Sequence, residues 1–133
     1  VLTDFEGKIM YLSFWATWCG PCIAEKPKLD KLKEDFKGNE NIVFVDISLD
    51  QNKEKWAAFL NKHQPAGIQL LSGNEGMTRR NFEFLGTPHH VLVNANGQYK
   101  SLRDISSGKE FLQDEEALNS WVAKGKVIES AAD

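Results

Sequence analysis

"KIMYLSFWATWCGPC", residues 8–22, runs a strand-length apolar segment directly into the only two cysteines of the chain, Cys19 and Cys22. Lys8 to Trp15 is nearly continuously apolar, the pattern of a central strand buried on both faces. Beyond it, "CIAEKPKLDKLKEDFK" (22–37) repeats apolar or small residues at helical spacing and ends before Gly38, a helix stop. The cysteine pair therefore falls where a strand hands over to a helix.

That position carries chemistry. A helix N-terminus offers unpaired N–H groups and the positive end of the macrodipole, both of which favour a thiolate. If the helix begins at Cys19, that sulfur is the stabilised and exposed one. Pro21 fits the first turn, where its missing N–H costs nothing, and Gly20 permits close approach of another backbone. Cys22, Glu25, Leu29, Leu32 and Phe36 are spaced 3, 4, 3 and 4 and share one face. Lys26, Lys28, Asp30, Lys31, Lys33 and Glu34 fill the others, so the first face is the buried one and Cys22 is expected to be shielded. Glu25 is the anomaly on it. Desolvation among Leu and Phe would raise its proton affinity and make it a proton acceptor and donor for the Cys22 thiol; the plainer reading bends its carboxylate to the rim or pairs it with a lysine.

A redox centre, half of a metal site and a structural staple are the three readings of the pair. A disulfide closing so short a loop constrains the unfolded chain little. Zinc usually takes four ligands, so His89 and His90 would have to complete the site. C-x-x-C between a strand and a helix in a βαβ setting is the redox signature, and it leads.

The 133 residues allow one domain, 1–133, and 41% hydrophobic residues suffice for a core without disulfides. A net charge of −3 with no basic stripe makes nucleic acid and anionic membrane poor partners. No apolar run approaches the roughly 20 residues of a membrane span, and no signal peptide precedes the first strand. The chain starts at Val1, which is expected of a trimmed or processed product, so a removed export signal or a membrane tether outside this chain is allowed for.

Further along, "NIVFVDISLD" (41–50) reads as a second buried strand. "NKEKWAAFLNKH" then sets Trp56, Phe59, Leu60 and His63 on the stripe of an amphipathic helix. "GIQLL" is a short strand, followed by a short helix around Met77 to Leu85. In "GTPHHVLVNANGQYKSLRD", Asn96-Gly97 between extended runs predicts a hairpin. "DEEALNSWVAKG" predicts a final helix, with an Asp start, a Leu118/Trp121/Val122 stripe and a Gly125 stop. This order implies an α/β sandwich, parallel in its first half and antiparallel in its second.

At "WCGPC" the sequence resembles the thioredoxin superfamily, and "DFEGKIMYLSFWATWCGPC" is similar to its TlpA/ResA branch of exported thiol-disulfide oxidoreductases. "VFVDISLD" and "LGTPHHVLVNANGQ" extend the likeness over nearly the whole chain. The resemblance implies a thioredoxin-like α/β fold: a central mixed sheet of four to five strands flanked by helices, with a strand-helix insertion around Gln64 to Phe84. It makes Cys19 the attacking and Cys22 the resolving cysteine, with Trp18, Gly20 and Pro21 framing them. Pro27 matches a proline that kinks the first helix, and Pro88 matches a cis-proline facing the disulfide. A cis bond there would turn the Thr87 backbone N–H and C=O toward an extended substrate. Glu25 matches a glutamate of the branch. Thioredoxins proper carry a buried aspartate where this chain has Ser13, which shifts the proton-acceptor role toward Glu25 or water.

The implied function is reduction or exchange of protein disulfides, with an upstream dithiol donor and no cofactor beyond the Cys19–Cys22 disulfide. The implied setting is the bacterial periplasm or cell envelope. The alternatives are a cytoplasmic thioredoxin-like reductase, and a redox-inactive, client- or metal-binding module of a larger envelope protein. His89 and His90, adjacent on a strand, point to opposite faces; one sits near the sulfurs and responds to pH, or both merely pack. His63 reads as structural, Trp15, Trp56 and Trp121 as core, Trp18 as an exposed substrate contact, and Arg79-Arg80 and the Lys-rich first helix as solvated faces.

Overall fold

The computed structural model describes residues 8–84 and 86–121. In chain order these form β1 (Ile9–Trp15), α1 (Gly20–Asp35), β2 (Ile42–Ser48), α2 (Lys53–His63), β3 (Ile68–Leu71), α3 (Glu75–Asn81), β4 (His89–Val93), β5 (Tyr99–Leu102) and α4 (Ile105–Gln113), with residues 115–121 again helical. The five strands make one sheet in the order β3-β2-β1-β4-β5. β1, β2 and β3 are parallel; β4 runs antiparallel to β1, and β5 to β4. This is the thioredoxin-like mixed sheet, with β3 and α3 inside the stretch expected as the insertion.

β1 is buried at every position because it is central and covered on both faces. Its alternation separates two cores. Ile9 and Tyr11 pack with Leu29 and Leu32 of α1 and Ile105 and Leu112 of α4. Met10, Leu12 and Phe14 pack on the opposite face with Val45, Leu49, Phe84, Val91 and Val93. Ser13, on the α1 side, lies directly across from His90 of β4.

Two expectations need correcting. Lys33 is buried rather than solvated: its Nζ lies 2.6 Å from Asp46 Oδ2 on β2 and 2.8 Å from the Ala66 carbonyl. The carboxylate of Asp46 also accepts from Gln69 Nε2 at 2.8 Å. Periodicity along α1 could not show this, because the partner that draws the lysine inward is on another strand. Helix α4 was not anticipated either, since Ser106, Ser107 and Gly108 are weak helix formers. Asp104 caps it by accepting from the Ser107 N–H at 2.8 Å. Gly108 is there for packing: a Cβ would stand 2.9 Å from both Leu102 and Tyr11 side-chain carbons. The anticipated last helix does begin after Asp114, which accepts from the Ala117 N–H at 3.1 Å. Val122 and the Gly125 stop lie outside the described residues.

Removing one member of a buried ion pair strands the other charge, at a cost of about 3–5 kcal/mol, whereas an apolar pair of similar volume is often neutral. Lys33→Met is therefore expected to destabilise the fold by about 3 kcal/mol in urea unfolding, and Lys33→Met with Asp46→Leu to recover most of that loss. An intact midpoint in the single variant would contradict this account.

Candidate active site

The site lies at the C-terminal ends of β1 and β2. After β1 the chain turns at Ala16–Trp18, where the Cys19 N–H donates to the Ala16 carbonyl at 3.1 Å. This turn is held from β2. The Asp50 carboxylate accepts from the Thr17 N–H (3.0 and 3.2 Å) and from Thr17 Oγ1 (2.6 Å), and Asp50 is itself fixed by Ser48. Asp50 was not singled out in the sequence, where it closes the stretch read as the second strand and its partner is 33 positions away.

Cys19 is the N-cap of α1, and its Sγ accepts from the Cys22 N–H at 3.2 Å. An orphan helix-terminal donor thus points at the sulfur, the arrangement that stabilises a thiolate. Cys19 and Cys22 are joined as a disulfide with Cα atoms 5.3 Å apart. Pro21 occupies the first turn, as anticipated. A Cβ on Gly20 would meet open space, so nothing among the described residues takes up the close approach that glycine permits. Trp18 is 59% exposed and Trp15 is core. Across from Cys19, the Thr87 carbonyl oxygen is 3.6 Å from Sγ, and the Thr87–Pro88 peptide is cis.

The contrast expected between the cysteines is weaker than the spacing suggested. Cys22 is 1% exposed, but Cys19 is only 5% exposed rather than open. The sulfur of Cys19 is turned inward onto Cys22, and both pack with Trp15 and Ala16.

Glu25 is not isolated among apolar side chains, and among the described residues it pairs with no lysine: Oε1 lies 2.8 Å from His90 Nε2, and the side chain keeps part of its exposure at the rim. The histidines do take opposite faces. His90 is on the α1 side, with its ring centroid 5.6 Å from that of Tyr11. His89 stacks on Phe84 at 4.7 Å and beside Phe14. Zinc shared by both histidines and both cysteines is incompatible with that divergence. Lys26, expected on a solvated face, places Nζ 3.6 Å above the centre of the Trp15 ring, with no hydrogen bond among the described residues. Burial lowers the proton affinity of its ammonium, against the opposing charge of Asp46. His63, on the α2 stripe, packs against the Phe59 ring at 4.2 Å.

The site is thus a C-x-x-C disulfide on a helix N-terminus, faced by a proline loop and set on a mixed five-stranded sheet. Residues 7–99 match the family model described as Thioredoxin-like, and the chain belongs to that family. Its relatives agree with the TlpA/ResA-like branch. The Thiol-disulfide oxidoreductase ResA of Oceanobacillus iheyensis is 47% identical over 101 residues, 76% of this chain and 52% of that protein. The Thiol:disulfide interchange protein DsbE of Vibrio cholerae is 30% identical over 106 residues, 77% of this chain and 54% of that one. The solution structure of a Bacteroides vulgatus protein assigned as a thiol-disulfide oxidoreductase superposes with a TM-score of 0.74 at 36% identity, covering 89% of this chain and 78% of that one. The chain spans about half the length of these two curated relatives.

Burial first, and the charge of His90 second, lower the proton affinity of His89 below the ordinary value of about 6.5. The unfolded chain then binds the proton more readily, so this contribution to stability is complete above that value and is lost as pH falls through it. His89→Phe, which preserves the stack on Phe84, should show a shallower decline in urea-measured stability between about pH 7.5 and about pH 5 than the parent chain. Equal declines would remove His89 from the account.

Proposed function

We propose that this chain is the catalytic unit of a thiol-disulfide oxidoreductase acting on protein disulfides through Cys19 and Cys22. The observation that carries the reading is the Cys22 N–H donated to Cys19 Sγ at the start of α1. In the reduced chain, the Cys19 thiolate attacks one sulfur of a substrate disulfide. The substrate S–S bond breaks, a mixed disulfide forms, and the other substrate sulfur leaves as a thiolate. Cys22 loses its proton to Glu25 and attacks Cys19 Sγ, releasing the second substrate sulfur. Two electrons have then passed to the substrate, and the chain holds the Cys19–Cys22 disulfide until a dithiol donor reduces it.

Trp18, Gly20, Pro21, Thr87 and Pro88 form the substrate contact. Exposure of Trp18 supports this, as do the open space over Gly20 and the Thr87 carbonyl beside Cys19, placed to pair with an extended segment. No cofactor other than the disulfide is required. CGPC, the tetrapeptide of thioredoxin itself, favours a reducing role, and the branch resemblance favours the bacterial cell envelope. We take residues 1–133 as one thioredoxin-like domain.

In an insulin-reduction assay, Cys19→Ser and Cys22→Ser should each lower turnover by at least about 100-fold. Cys22→Ser should in addition accumulate mixed disulfides with substrate. Activity surviving Cys19→Ser would sink the mechanism. Equilibration of the disulfide with glutathione measures its potential: a value well below that of the glutathione pool is expected of a reductant, and one above it of an oxidant.

A further inference from the structure

Among the described polar groups that this mechanism leaves unused, one is built into the site from the opposite side of the sheet interface. His90 stands two residues after Pro88, at the start of β4 and directly across from Ser13 of β1. Its side chain is 3% exposed, and its Nε2 meets Glu25 Oε1 at 2.8 Å. Glu25 lies three residues, about one helical turn, past Cys22 on α1. This pair therefore ties the helix carrying both sulfurs to the strand that leaves the proline loop. It is buried on one side only, since the Glu25 side chain keeps 22% of its exposure.

We propose that His90 is a positioning residue for proton transfer at Cys22, holding the Glu25 carboxylate in place by donating Nε2–H to Oε1 and leaving the other oxygen to exchange the proton. This deepens the role given to Glu25 above and rests on it. The donor assignment follows from the partner, because a carboxylate only accepts. Nδ1 is buried and has no hydrogen-bond partner among the described residues, as is also true of the neighbouring Tyr11 hydroxyl. Burial, and next the charge of Glu25, push the Tyr11 phenol well above its ordinary value, so it stays a neutral neighbour. The other ionisable groups in this cluster are Lys26 on α1, which feels the charge of Glu25, Asp46 on β2 and Asp104 at the head of α4, which act on Tyr11, and His89 beside His90 on β4, which feels its charge.

The proton accounting is simple. Cys22–SH and Glu25–COO⁻ become Cys22–S⁻ and Glu25–COOH, while the His90 N–H remains a donor throughout. A hydrogen bond to the carboxylate favours its charged form and fixes its direction. Without it, the charged form loses that support and the carboxylate is less well aimed. In the position otherwise given to a buried acid on β1, this chain has Ser13, and the residue opposite Ser13 on β4 is the one that grips Glu25.

The test is single-turnover resolution on the full chain. Reduced protein is mixed with 5,5′-dithiobis(2-nitrobenzoate); the first aryl thiolate released reports attack by Cys19, and the second reports attack by Cys22 on the mixed disulfide. His90→Phe keeps ring volume without a donor and should slow the second phase about tenfold at neutral pH. It should also move the inflection of that phase upward by at least about half a pH unit. The first phase should be unchanged. His90→Gln, which retains a donor, should recover most of the rate. Placed on Glu25→Gln, His90→Phe should add nothing.

A second phase in His90→Phe matching the parent in rate and inflection overturns the proposal, and leaves the Glu25 role standing if Glu25→Gln alone is slow. A His90→Phe effect that persists on Glu25→Gln also overturns it, because the histidine would then act through packing. If Glu25→Gln alone has no effect, the prior reading of Glu25 falls instead. Should His90→Phe fail to fold, His90→Val, strand-compatible and without a donor, is subject to the same criteria.

Discussion

The bond from the Cys22 N–H to Cys19 Sγ is the interaction the rest of the molecule is arranged around. It requires Cys19 to sit at the cap of α1 rather than within it, and so requires the chain to leave β1, turn and enter a helix within four residues. Each surrounding element limits one way that turn could relax. Burial of β1 on both faces fixes where the strand ends. Asp50 grips Thr17 from β2. The Leu29/Leu32 face seats α1 on the sheet, and the Lys33–Asp46 pair locks its far half.

The two sides of the site are held by different physics. On the β2 side the support is a carboxylate satisfied by a backbone N–H and two hydroxyls, which is rigid and carries no reacting group. On the β4 side the support is the Glu25–His90 contact, whose carboxylate is the proposed proton carrier. The structural duty falls to Asp50 and the proposed chemical one to Glu25. Lys26 lies over the Trp15 ring, with no hydrogen bond among the described residues.

What could be read from the sequence was whatever local spacing encodes. The apolar run 8–15, the 3-4-3-4 face of α1, and the hairpin around Asn96-Gly97 each depend on near neighbours in the chain, and each is found in its expected place. Cys22 was recognisably sheltered for the same reason. What escaped depends on pairs far apart in sequence. Lys33 and Lys26 looked solvated until Asp46 and Trp15 came beneath them, and Asp50 was merely the last residue of a strand until Thr17 arrived. Glu25 was singled out correctly as unusual, but its partner lies 65 positions away, and no periodicity on α1 points to it. Helix α4 was hidden by a glycine kept for packing rather than for a turn.

The alternation along β1 bears on how such a chain can diverge. Because Ile9 and Tyr11 serve one core while Met10, Leu12 and Phe14 serve the other, gain or loss of one residue in this strand would exchange the two sets. It would also turn Ser13 away from the helix. Length changes are therefore closed off at the centre of the sheet and open at its β3 rim, where, among the described residues, pairing with β2 is the one ladder to preserve. Over generations, new recognition surfaces can accumulate at that rim while the strand leading to the sulfurs stays fixed in length.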